Sequence, residues 1–281
     1  MIKYSVIGTS WITKSFVDGA SLCNELVLDG VYSRSAQKGE AFAKETGAQR
    51  VFNSFDDLLQ SDTELVYVAS PNVCHYAQCK NLLDNGKHVI CEKPITITSD
   101  EFSRLASLAR EKNLVYFEAI MYMHSPARAV LKDSVAKIGN IRSASIDFSQ
   151  LSSKYKALVN GELPNIFNPE MKTGALNDLG IYCVYPVVDL FGVPQDIIPS
   201  QHLKVHFLAF PQKLTLGIFY KFDGIFGFIT HMIFFINIRH KLCFFALIII
   251  NTDIIGLRNA SYGNSTQVTE NLGYTSALTD F

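Results

Sequence analysis

From residue 1 to about 120, short β-branched runs alternate with amphipathic stretches, the order that a doubly wound parallel sheet requires. The pattern predicts strands at Lys3 to Ile7, Leu28 to Tyr32, Leu65 to Ala69, His88 to Cys91 and Val115 to Glu118. Between them, Ala36 to Thr46 places Ala41, Phe42 and Ala43 on one side of a polar helix. Asn72 to Leu83 reads as a second helix and runs out at Gly86, a natural residue just past a helix end. Ser99-Asp100-Glu101 opens a further helix on which Phe102, Leu105, Leu108 and Ala109 recur at helical spacing.

After Pro126 the pattern changes. Ile141 to Phe148 is strand-like, Ser149 to Pro169 is rich in loop residues, and Gly174 to Gly192 reads as a helix. The expected division is therefore an α/β domain over 1–120 and an α+β domain over 121–281. Within the second, Val205 to Ile250 differs in kind: it holds 10 of the chain's 20 Phe and nine Ile, but of the acidic residues only Asp223. A membrane span needs about 20 mostly apolar residues. Lys221, Asp223, His231, Asn237, Arg239, His240 and Lys241 interrupt every such window, so no membrane role is expected. The preferred reading of this stretch is translation outside an ancestral frame, because U-rich codons yield Phe, Ile and Leu whatever the fold needs. Strand-like patterning resumes at Asp253 to Arg258 and Ser265 to Thr269. A sheet without its central strands would leave apolar edges unpaired, so poor solubility is expected.

Charge narrows the partners. Lys plus Arg number 25 against 26 Asp plus Glu, a formal charge of -1 that offers no field for nucleic acid or an anionic membrane. The six cysteines lack any Cys-x-x-Cys pair and any Cys/His spacing of a zinc site, so reduced thiols and no metal are expected. The opening Met1 to Gly8 is too short an apolar run for a signal peptide, which points to the cytoplasm.

The first strand runs into Gly8-Thr9-Ser10-Trp11-Ile12-Thr13, in the place of the fingerprint G-x-G-x-x-G. In that fingerprint the first Gly makes the tight turn, the second admits a pyrophosphate and the third lets helix and strand pack. Only the first is kept. Ser10 either offers hydroxyl and N–H to a phosphate at the helix start or serves as an ordinary N-cap. The second strand ends in Tyr32-Ser33-Arg34-Ser35, where an NAD enzyme usually carries a carboxylate for the ribose diol. A guanidinium among hydroxyls suits a 2′-phosphate better and leans toward NADP, with NAD possible; the plainer alternative is a solvated Arg34 at a helix start.

The more specific signal is Ala69-Ser70-Pro71-Asn72-Val73-Cys74-His75 followed by Gly86-Lys87-His88-Val89-Ile90-Cys91-Glu92-Lys93-Pro94. Here the chain resembles the Gfo/Idh/MocA oxidoreductases, which carry Pro-Asn-x-x-His after the fourth strand and Gly-Lys-His-Val with Glu-Lys-Pro around the fifth. The likeness continues through Glu118-Ala119, Asn165-Ile166-Phe167-Asn168-Pro169, Gly174-Ala175-Leu176 and Asp178-Leu179-Gly180-Ile181-Tyr182, then fades near residue 200. It implies an N-terminal Rossmann domain and a C-terminal α+β domain with an open, mostly antiparallel sheet, incomplete here. It also implies assembly into a homodimer or larger, which the odd tail puts in question for this chain.

By that resemblance the cofactor side comprises Gly8, Thr9, Ser10, Trp11, Ile12, Ser33, Arg34, Ser70, Pro71, Asn72, His75, Glu92 and Lys93. Tyr155, Asn165 and Phe167 lie in the loops implied to cover the substrate. Lys93 follows an apolar strand at the carboxyl edge of the sheet, where α/β proteins bind ligands. Asp178 and Tyr182 are four apart on a predicted helix and so share a face. Most of the family has His at the second of these places. Tyr resembles the dihydrodiol dehydrogenase and glucose-fructose oxidoreductase branches, although a core tyrosine beside Tyr185 and Val188 is the bland alternative.

The chemistry implied is hydride exchange between nicotinamide and a secondary alcohol or ketone of a sugar, cyclic polyol or dihydrodiol. Tyr182 would move the hydroxyl proton. A phenol with an ordinary pKa near 10 needs a cation beside it, and Lys93 is the candidate. Asp178 would hold a substrate hydroxyl or orient Lys93. His75 would shape the nicotinamide side or merely pack the helix. Two other outcomes stay open from sequence: a dinucleotide-binding regulator without turnover, and the inactive product of a damaged gene.

Overall fold

The computed structural model describes residues 1–139, 152–174 and 176–194 in full, single positions between 141 and 148, and the strand backbones at 196–202, 213–222, 225–227, 231–232, 243–250 and 253–260. The chain forms two compact units, residues 1–121 with 168–173, and residues 122–167 with 174–281.

The first unit is a six-stranded parallel sheet, β1 (Ile2–Ile7), β2 (Leu26–Tyr32), β3 (Arg50–Phe52), β4 (Leu65–Val68), β5 (His88–Glu92) and β6 (Tyr116–Ala119), in the order β3-β2-β1-β4-β5-β6. Helices α1 (Trp11–Ala20), α2 (Ala36–Thr46), α3 (Phe55–Gln60), α4 (Asn72–Asp84) and α5 (Ser99–Glu111) make the crossovers. The central strands are apolar on both faces, as strands covered twice must be. Tyr4, Val6, Val31 and Tyr67 face one core with Val17 and Phe42. Ile7, Val66, Val68, Val89 and Cys91 face another with Cys79, Leu82, Leu83 and Leu105. Helix starts follow local chemistry: Ser54 with Asp57 and Thr98 with Glu101 form reciprocal capping boxes, and Ser35 accepts from the N–H of Lys38.

Chain order runs outward in both directions from the β1–β4 pair. That makes the carboxyl ends of these two strands the topological switch point where open α/β sheets place a ligand crevice. Two elements escape the sequence pattern, β3 and α3.

In the second unit a short helix α6 (Met121–His124) begins at the boundary, and α7 (Pro126–Lys137), α8 (Tyr155–Val159) and α9 (Ile181–Phe191) follow. Ile146 and Phe148 are buried in a core with Val135, Cys183 and Val187, against which Ile141 and Ala144 pack; none of these four described positions lies in a strand, and the other residues of the strand expected at 141–148 lie outside those described. The predicted single helix from 174 to 192 needs correcting: Leu176–Gly180 is a π-turn that runs into α9. Wider turns of this kind recur at functional sites and change which residues share a face.

Beyond 195, backbone pairing is antiparallel. It joins β7 (Asp196–His202) to β8 (Lys213–Phe222), β8 to β9 (Ile225–Gly227) and β10 (His231–Met232), and β11 (Cys243–Ile250) to β12 (Asp253–Ala260). The described parts of the Phe/Ile-rich stretch, 213–222, 225–227, 231–232 and 243–250, run as strands. The strand expected at 265–269 lies outside the described residues. Among the described residues no helix is long and apolar enough to cross a membrane.

Candidate functional site

The carboxyl edge of the first sheet gathers the N-terminal motifs. Gly8 follows β1 with φ of 108°, in the left-handed region that L side chains avoid. A Cβ there would lie 2.7 Å from the backbone oxygen of Ala69, the residue after β4. This glycine is therefore fixed by a close approach of two backbones across the switch point, as a tight turn before a phosphate site requires.

Helix α1 begins three residues later. Ser35, Ser54, Thr98 and Ser125 cap their helices with their side chains, but Ser10, the N-cap of α1, does not. Its hydroxyl turns to the buried Thr13 hydroxyl, 3.3 Å away. The first-turn amides are left to an outside acceptor, which is the donor set a pyrophosphate needs. Ser10 and Thr13 stand at the second and third glycine positions of the fingerprint, so a hydroxyl pair replaces two glycines. Trp11 opens the helix with 78% of its surface exposed, Thr9 and Ile12 are half-buried beside it, and Arg34 is exposed past the end of β2 with Ser33 accepting from the N–H of Ser35.

Lys93 stands after β5, on the same sheet edge, and the backbone around it is held at each step. The Lys93 N–H donates to Glu92 Oε2 at 3.2 Å, and the other Glu92 oxygen accepts from the buried Tyr67 hydroxyl at 2.5 Å. The Ile95 N–H donates to Glu118 Oε1 at 2.7 Å. Between them, the Pro94 carbonyl lies 2.8 Å from His75 Nδ1. Lys93–Pro94 is a cis peptide.

His75 is fully buried, and its Nε2 lies 2.9 Å from the Ser70 carbonyl. Both ring nitrogens are thus occupied by backbone, and the ring supports the turns after β4 and β5. Burial pushes its pKa below the usual histidine value, while the two carbonyls, Glu92 and Glu118 pull the other way. Ser70 donates to Gln78 at 2.6 Å, and Pro71 is the N-cap residue of α4. The Asn72 amide donates to the Lys172 carbonyl at 3.1 Å, which ties residues 168–173 to this unit. Glu118 and Tyr67 are functional supports to which sequence reasoning gave no role. A Glu at the end of an apolar strand was the available signal.

The remaining candidates belong to the second unit. Asp178 lies in the π-turn, its N–H donating to the Gly174 carbonyl at 2.9 Å. Tyr182 is half-buried in the first turn of α9 and stacks on Phe148, with ring centroids 4.9 Å apart. Tyr155 starts α8, and Asn165 and Phe167 bound a 3-10 turn. Among the described residues no cluster of His, Cys, Asp or Glu is arranged to hold a metal ion, and Cys23, Cys74, Cys79, Cys91 and Cys183 are free thiols.

Residues 2–120 match an oxidoreductase family with an NAD-binding Rossmann fold, Gfo/Idh/MocA. The chain is 38% identical over 198 residues to the NADP-dependent scyllo-inositol 2-dehydrogenase IolU of Bacillus subtilis, covering 70% of this chain and 60% of that protein. It is 30% identical over 165 residues to trans-1,2-dihydrobenzene-1,2-diol dehydrogenase of Oryctolagus cuniculus, covering 58% of this chain and 48% of that one. In fold it resembles a 3-ketoreductase from Actinomadura kijaniata crystallised with NADP, with a TM-score of 0.72 at 21% identity over 92% of this chain and 75% of the other. The chain thus spans 60% or less of the length of these two curated relatives. Over residues 2–120, the run that holds its first unit's sheet, this chain carries the NAD-binding Rossmann domain of the Gfo/Idh/MocA oxidoreductases.

Proposed function

We propose that the chain is an NADP-dependent dehydrogenase that oxidises a secondary alcohol of a cyclic polyol or sugar and runs in reverse on the ketone. The observation that carries this reading is the arrangement of one sheet edge. Gly8 and the uncapped start of α1 lie at the switch point, and the braced Lys93 turn lies on the strand after β4. The greater similarity to the inositol dehydrogenase favours a cyclic polyol over a dihydrodiol.

Bound nicotinamide supplies the hydride acceptor, and the chain's own residues do the rest. The Ser10, Trp11 and Ile12 amides receive the pyrophosphate, Gly8 and Thr9 shape the turn beneath it, and Arg34 with Ser33 receives the 2′-phosphate. Tyr182, as its phenolate, takes the proton of the reacting hydroxyl in the oxidation and, as the phenol, returns it in the reduction of the ketone. The Lys93 ammonium favours the phenolate, and Asp178 holds a neighbouring hydroxyl. Tyr155, Asn165 and Phe167 face the substrate ring. The reading places the enzyme in the cytoplasm, where thiols stay reduced.

The test is turnover of NADP+ with a panel of inositols and aldoses. Lys93→Met and Tyr182→Phe should each lose about a hundredfold or more in kcat, as removal of a general acid/base or its partner does, while still binding NADPH. Full activity in both variants refutes the assignment.

A further inference from the structure

The Asn72 and His75 side chains stand three apart in the first turn of α4, so they leave the helix on neighbouring lines. Each ends on the backbone of a different stretch of chain: Asn72 on the Lys172 carbonyl, and His75 on the Pro94 carbonyl with Ser70 at its other nitrogen. We infer that Asn72 and His75 form a brace in which one helix end sets both the turn that carries Lys93 and the 168–173 segment that leads to Asp178 and Tyr182. In this role both are positioning residues and neither is a ligand contact. The inference rests on the catalytic reading of Lys93, Asp178 and Tyr182 given above.

The helix is a firm base for such a brace, because Cys79, Leu82 and Leu83 bury its far end in the sheet core. The stretches it holds need holding. Lys172 adopts φ of 52°, a left-handed conformation unfavourable for any residue with a Cβ, so the 168–173 loop keeps its shape only when fixed from outside. Within the loop, Thr173 donates to the Asn168 carbonyl and the Asn168 side chain accepts from the Glu170 N–H, so that it is one compact piece and an anchor at Lys172 acts on the whole of it. At the other arm, the neutral ring has one N–H to give to the Pro94 or the Ser70 carbonyl, and a buried ring without it leaves that carbonyl without its donor. Catalytic groups misplaced by about 1 Å lose on the order of a hundredfold in rate, so small relaxations here reach the chemistry.

Hydrogen exchange on the cofactor-free protein reads the brace without any turnover. His75→Phe should speed exchange of the amides in 93–97 by about tenfold or more while leaving β1 unchanged, and Asn72→Ala should do the same for 170–174. In steady-state assays both variants should lower kcat by about tenfold or more with KM for NADP+ within about threefold of wild type. His75→Asn, which keeps one amide donor, should recover part of the loss; it also serves if the Phe variant does not fold. Unchanged exchange in both segments, or exchange raised evenly across the sheet, overturns the inference. So does a loss of cofactor affinity that matches the loss of kcat. A wild type that turns over no polyol sinks the proposed function, yet the exchange result still decides the brace.

Discussion

His75 and Pro94 meet across the carboxyl edge of the first sheet, an imidazole nitrogen 2.8 Å from the carbonyl that follows Lys93. This contact ties the helix after β4 to the turn after β5 and has a pH signature. The folded protein holds the His75 pKa below its ordinary 6.5, chiefly through burial. Above that pH the ring is neutral in both states, so its contribution to stability is full. As pH falls below about 6.5 the unfolded chain takes up a proton that the folded one resists, and stability declines by up to about 1.4 kcal/mol per pH unit until the folded ring titrates. Denaturant titrations at several pH values should show this acid slope in the wild type and a shallower one in His75→Asn. Identical slopes would show that His75 is not the group responsible.

Gly8→Ala tests the switch point. The new Cβ would press on the Ala69 backbone oxygen at 2.7 Å while forcing alanine into a left-handed conformation. A loss of about 2 kcal/mol in stability is expected, together with weaker NADPH binding, because the turn under the pyrophosphate has to shift. Chemical denaturation and a cofactor titration check the two effects separately.

Arg34 should decide between the two nicotinamide cofactors. It is exposed just past β2 and makes no structural commitment that its removal would break among the contacts described. Arg34→Ala should weaken NADP+ by about tenfold or more, the scale of one lost charge-assisted pair, and leave NAD+ and the melting temperature nearly unchanged. Equal weakening of both cofactors would deny it the 2′-phosphate.

The second unit has its own electrostatic anchor. Asp189 on α9 accepts two bonds from Arg128, at 2.8 and 2.6 Å, and further ones from Lys132 and the Tyr122 hydroxyl. These partners, Arg128 first, hold its carboxyl well below the usual carboxylate range. A depressed carboxylate stabilises fully above about pH 4 and gives that stability up as acid protonates it. Asp189→Asn should therefore lower stability at neutral pH by about 1–2 kcal/mol, a figure reduced for the partly exposed cations, and change it little in acid. Equal melting temperatures at neutral pH would contradict this.

How much of this was legible depends on distance along the chain. The five strands first expected are all present because each is a local run of apolar residues, and α2 and α4 follow from local spacing and punctuation. Arg50–Phe52 is too short to show a period, although the Ser54 and Asp57 capping pair after it was a signal for α3. In the candidate site, Gly8 and Lys93 could be placed by motif and strand end. The partners of Asn72 and His75 could not, because Lys172 and Pro94 reach them only through the fold. The π-turn at Leu176–Gly180 was hidden by the helical appearance of its residues. The mutual approach of Lys93 and Tyr182, which lie in different units, remains the content of the proposal.

The most direct test of the central claim uses the chain's single tryptophan, Trp11, at the start of α1. Its emission overlaps the absorption of reduced nicotinamide, so titration with NADPH should quench it along a saturable one-site curve, with NADPH bound more tightly than NADH and Gly8→Ala shifting the midpoint to higher concentration. Emission that falls only by the linear inner-filter loss, equally for both cofactors and for the variant, would mean that this sheet edge holds no nicotinamide dinucleotide.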